Sequence, residues 1–379
     1  MHDLEAGANA VLGRALDAGA CQVDARRDDE ELALFADDPV TRGLAHGAFL
    51  HDLAWYTLPM RALRVETTGV RLADVPEPRV AGEARVRVRL SGLCNTDLEI
   101  ARGYAGFHGT IGHEFVGVIE DGGGGVLARG ERVVGEINTG CGACALCERG
   151  DPRHCARRTV LGIVGRDGAH ADLVSLPARN LLRVPDSVPD EAAVFTEPLA
   201  AACGVLERCP MDRTTRAAVV GDGKLGLLCA MVLDAHGIAT LLVGRHTSKL
   251  DVARRRGIET TTAAAAAARG RVFDVVVEAS GAATGFALAL DLLRPQGVLV
   301  LKSTFHGATP VDAARVVVDE IQVVGSRCGR FAPALALLER GAVDVTNLVS
   351  EQMPLERGVE AMTRAATPGV MKVLLQASS

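Results

Sequence analysis

No stretch of this 379-residue chain is apolar for long enough to cross a membrane. The longest runs, such as LGLLCAMVL at 225–233, fall well short of the roughly 18 residues that a spanning helix needs. Long blocks of like charge are missing too, and the net charge is only −6. Neither a nucleic-acid arm nor a membrane-binding arm is therefore expected. The first residues, MHDLEAG, carry neither a basic segment nor an apolar core, so no signal peptide is expected. These absences predict a cytoplasmic protein whose partners are small molecules, with no nucleic acid and no membrane.

What is present suits a globular enzyme. With 48% hydrophobic residues, the chain is long enough for two or three domains and a sizeable core. Residues 1–59 stand apart. They hold eleven Asp and Glu against four Arg, a balance of −7, so the remaining 320 residues carry −6 + 7 = +1. A helical, partly ordered extension is expected there, either functional or the product of a start assigned upstream of Met60. From Met60 onward, Arg alternates with Val and Leu at 85–90, and turn signals stand at Pro76, Pro78 and Gly82. That is the pattern of antiparallel barrel strands with one face buried and one wet. From Ala217 the texture changes to short Val and Leu runs (AAVVG, TLLVG, FDVVVEAS, GVLVLKS, EIQVVGS) separated by helical segments or loops. Such runs predict a parallel sheet covered on both faces. Six consecutive alanines at 263–268 read as a loop or short surface helix of this half.

Two motifs carry chemistry. Cys141, Cys144, Cys147 and Cys155 have the spacing C-x2-C-x2-C-x7-C, which gathers four thiolates on one small loop, as a structural zinc site requires. A disulfide pair is the weaker reading, because cysteines this close in sequence rarely reach disulfide geometry. Cys21, Cys203, Cys209, Cys229 and Cys328 are expected to be free, mostly buried thiols. Gly221, Gly223 and Gly226, with Lys224 and Leu225 between the last two, form G-x-G-x-x-G between a strand and a helical pattern. In that context the glycines permit the turn, the approach of a pyrophosphate and close helix packing. About twenty positions on, where NAD enzymes place an acid for the ribose hydroxyls, the segment LLVGRHTSK has no carboxylate. Arg245 and Lys249 suit a 2′-phosphate instead, so NADP(H) is favoured and NAD(H) is possible.

Around these motifs stand GLCNTDLE (92–99), GHEFVG (112–117), FTEPLAAA (195–202) and VVGDGKLG (219–226). Taken in order with the cysteine lobe, they resemble the zinc-containing medium-chain dehydrogenases and reductases, the alcohol, sorbitol and threonine dehydrogenase group. The resemblance runs from about Met60 to the end. It implies an α/β protein: a GroES-like β-barrel catalytic domain over 60–200, to which 342–379 return, and a Rossmann doubly wound parallel sheet over 201–341. It leaves 1–59 as an N-terminal extension of unknown role. It also implies two zinc ions, one structural and one catalytic, and a homodimer or homotetramer. The catalytic zinc would be held by Cys94 and His113, with Glu197 of the E-P motif as third ligand and Glu114 as an alternating one. Thr96 matches the family's hydroxyl relay, and Glu99 stands where relatives often carry a histidine. Asp97 is expected to orient a ligand rather than react. The implied activity is hydride transfer between a nicotinamide cofactor and an alcohol or polyol and its carbonyl. Two alternatives stay open: a non-catalytic zinc module that binds another macromolecule, and a reductase of the same superfamily acting on another substrate type.

Overall fold

The computed structural model describes residues 59–304 and 311–377. The expectations for 1–58, including the extension and Cys21, lie outside the described residues. Strand Glu83–Gly92 is the centre of the barrel half, and its alternation has the anticipated cause. Ala84, Val86, Val88 and Leu90 are buried in the main core, while the outward Glu83 and Arg85 pair with Arg166 and Glu120. It lies in a sheet ordered Leu181–Arg183, Arg132–Gly135, Phe115–Asp121, Glu83–Gly92, Lys372–Gln376, Val349–Pro354, with Leu173–Pro177 also paired to it. A second sheet joins Gly69–Pro76, Pro59–Glu66 and Gly109–Thr110. The last strand runs antiparallel to Glu83–Gly92 with Leu374 opposite Gly92. Residues from the far end of the chain thereby come to lie beside the Cys94 turn.

The other sheet is parallel throughout, ordered Glu259–Thr261, Ala239–Val243, Arg216–Val220, Phe273–Glu278, Leu293–Leu301, Gln322–Gly325. In sequence order this is 3-2-1-4-5-6, the doubly wound arrangement in which a dinucleotide lies across the point where strand order reverses. Helix Lys224–Ala235 starts at that point, and it is apolar nearly all round because it is buried between the sheet and the Thr196–Arg208 helix. The alanine run forms the short helix Ala263–Ala267, capped by the Thr262 side chain accepting from the Ala265 N–H. No helix among the described residues is long and apolar enough to cross a membrane.

Candidate active site and metal centres

Cys94 follows strand Glu83–Gly92 and caps helix Asn95–Ala101, where Asp97 reaches back to accept the Cys94 N–H at 2.7 Å. That reciprocal cap fixes the turn on which the thiol stands. His113 and Glu114 follow the short strand Gly109–Thr110, both almost wholly buried. Donor atoms of Cys94, His113 and Glu114 lie within 4.8 Å of one another. Two close approaches make this possible. A Cβ at position 92 would stand 2.6 Å from the Glu114 carboxylate, and one at position 112 would strike the His170 ring at 2.6 Å. Glycine at both positions is therefore a packing requirement of the cluster.

The cluster is charged and largely buried. Asp97, wholly buried, faces His113 Nδ1 at 3.4 Å. Burial by itself would push the Asp97 carboxyl up, but His113 and then His170 outweigh it and hold it well below the usual carboxylate range. His113 is likewise driven down by burial, yet held above its ordinary value by Asp97 and Cys94. A metal on the Nε2 side would take the place of its second proton. Lys372, 2% exposed, ion-pairs with Glu114, donates to the Leu93 carbonyl at 3.3 Å and lies over the Phe195 ring. Sequence reasoning missed it. Its only signal is a lone lysine in the apolar segment VMKVLLQ.

Glu197 lies outside that 4.8 Å cluster, half-buried in the first turn of helix Thr196–Arg208. Its carboxyl is pushed up by burial, drawn down by His113 and raised again by Glu114, which sets it beside the cluster electrostatically. Thr96 Oγ1 stands 3.7 Å from Cys94 Sγ. Glu99, one turn along the same helix, accepts from Arg102 at 2.7 Å.

In the lobe, the donor atoms of Cys141, Cys144, Cys147 and Cys155 also lie within 4.8 Å of one another. Cys144 and Cys147 are 3.6 Å apart, sulfur to sulfur. A tetrahedron with zinc–sulfur bonds of about 2.3 Å has edges of about 3.8 Å, so the four thiols fit that ion. The Ala143 backbone N–H and the neighbouring thiols pull Cys141 down to about 6, and Arg157 donates to its sulfur at 3.2 Å. Burial pushes Cys147 up to about 11. All the described cysteines are free of disulfides; Cys203, Cys209 and Cys229 are buried, and Cys328 partly so.

The glycine motif forms a cradle. Gly221 has φ +125°, and a Cβ there would meet the Ala279 carbonyl at 2.5 Å; a Cβ at Gly226 would meet the Gly221 carbonyl at 2.0 Å. Gly223 faces open space at the start of helix Lys224–Ala235, and Leu225 is partly buried in its first turn. Beside it lies a cavity of about 360 Å³ whose lining includes Gly223, Arg245, His246 and Lys249. These features fit a dinucleotide: a turn a side chain would fill, a helix N-terminus, and cations at one end. The cavity also contains a carboxylate that the second-strand segment lacks. Asp222 lies over Gly244, where a Cβ would stand 2.6 Å from Oδ2, and accepts the N–H groups of Arg245 and His246 at 2.7 Å each. An acid sought only at the end of the second strand is missed when it comes from the neighbouring turn. Lys224, at the first turn of the same helix, is driven down by burial and by Lys372, while Cys94 and Glu114 draw it up. The cofactor cradle and the ligand cluster therefore share one electrostatic neighbourhood.

Comparison with known proteins agrees with this geometry. The family model of the alcohol dehydrogenase GroES-like domain matches residues 80–186, and that of the zinc-binding dehydrogenases matches 225–340. A sorbitol dehydrogenase of Halalkalibacterium halodurans is 30% identical over 323 residues, 80% of this chain and 94% of its own. The solved alcohol dehydrogenase RspB of Escherichia coli CFT073, complexed with NADH, superposes with TM-score 0.78 at 26% identity, covering 84% of this chain and 99% of that one. A Sinorhizobium meliloti 1021 protein, provisionally assigned as a zinc-binding dehydrogenase and bound to NADP, gives 0.77 at 25% identity with the same coverage.

Proposed function

The chain belongs to the zinc-binding dehydrogenases that carry an alcohol dehydrogenase GroES-like domain, and from that premise we propose that it interconverts a primary or secondary alcohol, a polyol first of all, with its carbonyl compound. The observation that carries this reading is the gathering of Cys94, His113 and Glu114 within 4.8 Å, in electrostatic reach of Lys224 on the cofactor helix. The sorbitol dehydrogenase relative supports the polyol. The domains follow the family: a barrel of 60–200 with 342–379, and a nucleotide half of 201–341. The free buried thiols suit a reducing compartment, in keeping with a cytoplasmic enzyme. A non-catalytic zinc module leaves the cofactor cradle without a purpose.

Oxidation removes a hydride from the carbinol carbon and a proton from its oxygen. Cys94, His113 and a glutamate would hold a zinc ion, which would supply Lewis acidity toward the hydroxyl, and the glycine cradle would hold the nicotinamide cofactor that would supply the hydride acceptor. Glu114, within the 4.8 Å group, and Glu197, beside it, are the two glutamates that would complete that ligand set, Glu197 directly or through a water. Thr96 takes the proton and passes it to Glu99, one turn farther along the helix and beside Arg102. Asp97 holds the His113 ring by its Nδ1 side. The four-cysteine lobe carries a second, structural zinc.

At the ribose end, Arg245 and Lys249 favour NADP(H) over NAD(H). Asp222 acts there as a brace, since its carboxylate accepts the Arg245 and His246 N–H groups. Oligomerisation through edge strand Gln322–Gly325 fits the exposed Val323 within it and the exposed Val317 and Val318 before it. A monomeric mass in solution would remove that part. The activity itself is tested with a panel of alcohols, polyols and aldehydes, followed by nicotinamide absorbance with both cofactors. Polyols and NADP(H) are expected to give the higher kcat/KM, and absence of turnover with every pair would overturn the reading.

A further inference from the structure

We propose that His170 is a positioning residue of the cleft metal site, acting through Asp97 on the tautomer and orientation of His113. This rests on the metal reading above and goes beyond it. His170 lies in the loop before strand Leu173–Pro177, far in sequence from the ligand motifs, and is wholly buried. Its backbone is pinned on both sides: the N–H donates to the Ile111 carbonyl at 2.9 Å, and the carbonyl accepts the Leu63 N–H at 2.8 Å. Its ring lies against Gly112, the residue before His113, so closely that any Cβ there would displace it.

The ring bridges two buried groups. Nδ1 is 2.8 Å from Ser91 Oγ, and Nε2 is 3.5 Å from Asp97 Oδ2. Ser91, His170, Asp97 and His113 are all at most 3% exposed, so the chain of contacts is shielded from bulk solvent. An ionised carboxylate only accepts hydrogen bonds, so the nitrogen facing Asp97 carries the hydrogen. In the neutral imidazole Nδ1 then accepts, and the Ser91 hydroxyl donates. The order Ser91 to His170 to Asp97 is therefore directional. It places the His170 and Cys94 donors on Asp97 Oδ2, leaving Oδ1 to face His113 Nδ1 at 3.4 Å, a charge contact between two buried atoms that have no other hydrogen-bond partner among the described residues. A hydrogen on Nδ1, directed at that oxygen, leaves His113 Nε2 for the metal.

A buried carboxylate that loses one of its donors either shifts or keeps an unpaired lone pair. Either change loosens the His113 ring, and outer partners of this kind are typically worth about 10–100-fold in metal affinity or activity. A phenylalanine at 170 fills the space without bridging. A glutamine offers an amide donor and acceptor at nearly the separation of the two ring nitrogens.

The experiment uses the full-length holoprotein and measures zinc release to a chromophoric chelator, with the visible spectrum of cobalt in the cleft site as a second readout. His170→Phe is expected to raise cleft-metal loss about tenfold and shift the cobalt bands, with the four-cysteine metal retained. His170→Gln should restore both, and Ser91→Ala should give a smaller loss in the same direction. If His170→Phe does not fold, Ser91→Ala and His170→Gln carry the test. Parent-like release and spectrum in both His170→Phe and Ser91→Ala would overturn the proposal. So would a glutamine variant as impaired as the phenylalanine one, because the residue would then act by packing alone. A parent protein holding no cleft metal would fail earlier, and would fail the functional reading rather than the bridge.

Discussion

The four-cysteine lobe and the cleft cluster both gather donor atoms around the space of one ion, but they assemble them by opposite routes. The lobe draws its four sulfurs from fifteen consecutive residues, Cys141 to Cys155, within a short helix and turns. The cleft takes Cys94 from a strand end and His113 and Glu114 from another segment. It then takes Lys372 from the far end of the chain and His170 from a loop between them. A local site needs only its own loop to close. A dispersed site exists only when the whole barrel is in register, so its assembly is a consequence of the fold rather than a support of it.

The largest expected effect separates the two. Cys94→Ser should lower turnover by at least about three orders of magnitude, since several kcal/mol of charge stabilisation go with the metal, while the melting temperature stays near that of the parent. Cys141→Ser should do the reverse, lowering the melting temperature and sparing kcat in the molecules that remain folded. Equal losses of stability in the two variants would erase the distinction between structural and catalytic metal.

Next is Lys372→Met, which keeps the stem and removes the charge facing Glu114. With both partners buried, it should cost about 3–5 kcal/mol, read as a lower urea midpoint. An unchanged midpoint would mean that another cation compensates Glu114. Glu197→Ala is expected to lower cleft-metal occupancy and kcat about tenfold while sparing the cysteine lobe. Full zinc and normal turnover in that variant would leave Glu114 as the third ligand. The smallest effect is that of Arg245→Ala, about tenfold in KM for NADP(H) with little change for NAD(H). Equal loss with both cofactors would show that Arg245 does not read the 2′-phosphate.

The same contrast explains what could be read in the residues alone. The cysteine spacing, the glycine turn and the alternation at 85–90 are local patterns, and each has the expected geometry. Cys94 and His113 were legible as members of ordered motifs. Lys372 was not, because its place depends on the register that sets Leu374 opposite Gly92. His170 was hidden for a related reason: its ring meets Asp97 only after Ile111, Gly112 and Leu63 fix its loop. Asp222 stands between two glycines of the motif with no pattern of its own in the sequence, and its side chain occupies the space above Gly244. Glu197 has the motif but lies outside the 4.8 Å cluster, a distance that no spacing rule encodes.

The most direct test of a dispersed catalytic site beside a local structural one is the metal content of the full-length protein, measured on the parent, Cys94→Ser and Cys141→Ser after gentle purification. Two separate ligand sets predict two zinc ions per chain in the parent and one in each variant, the remaining ion being the lobe's in the first and the cleft's in the second. A single zinc in the parent, kept in Cys94→Ser and lost in Cys141→Ser, would contradict the cleft site and the chemistry assigned to it.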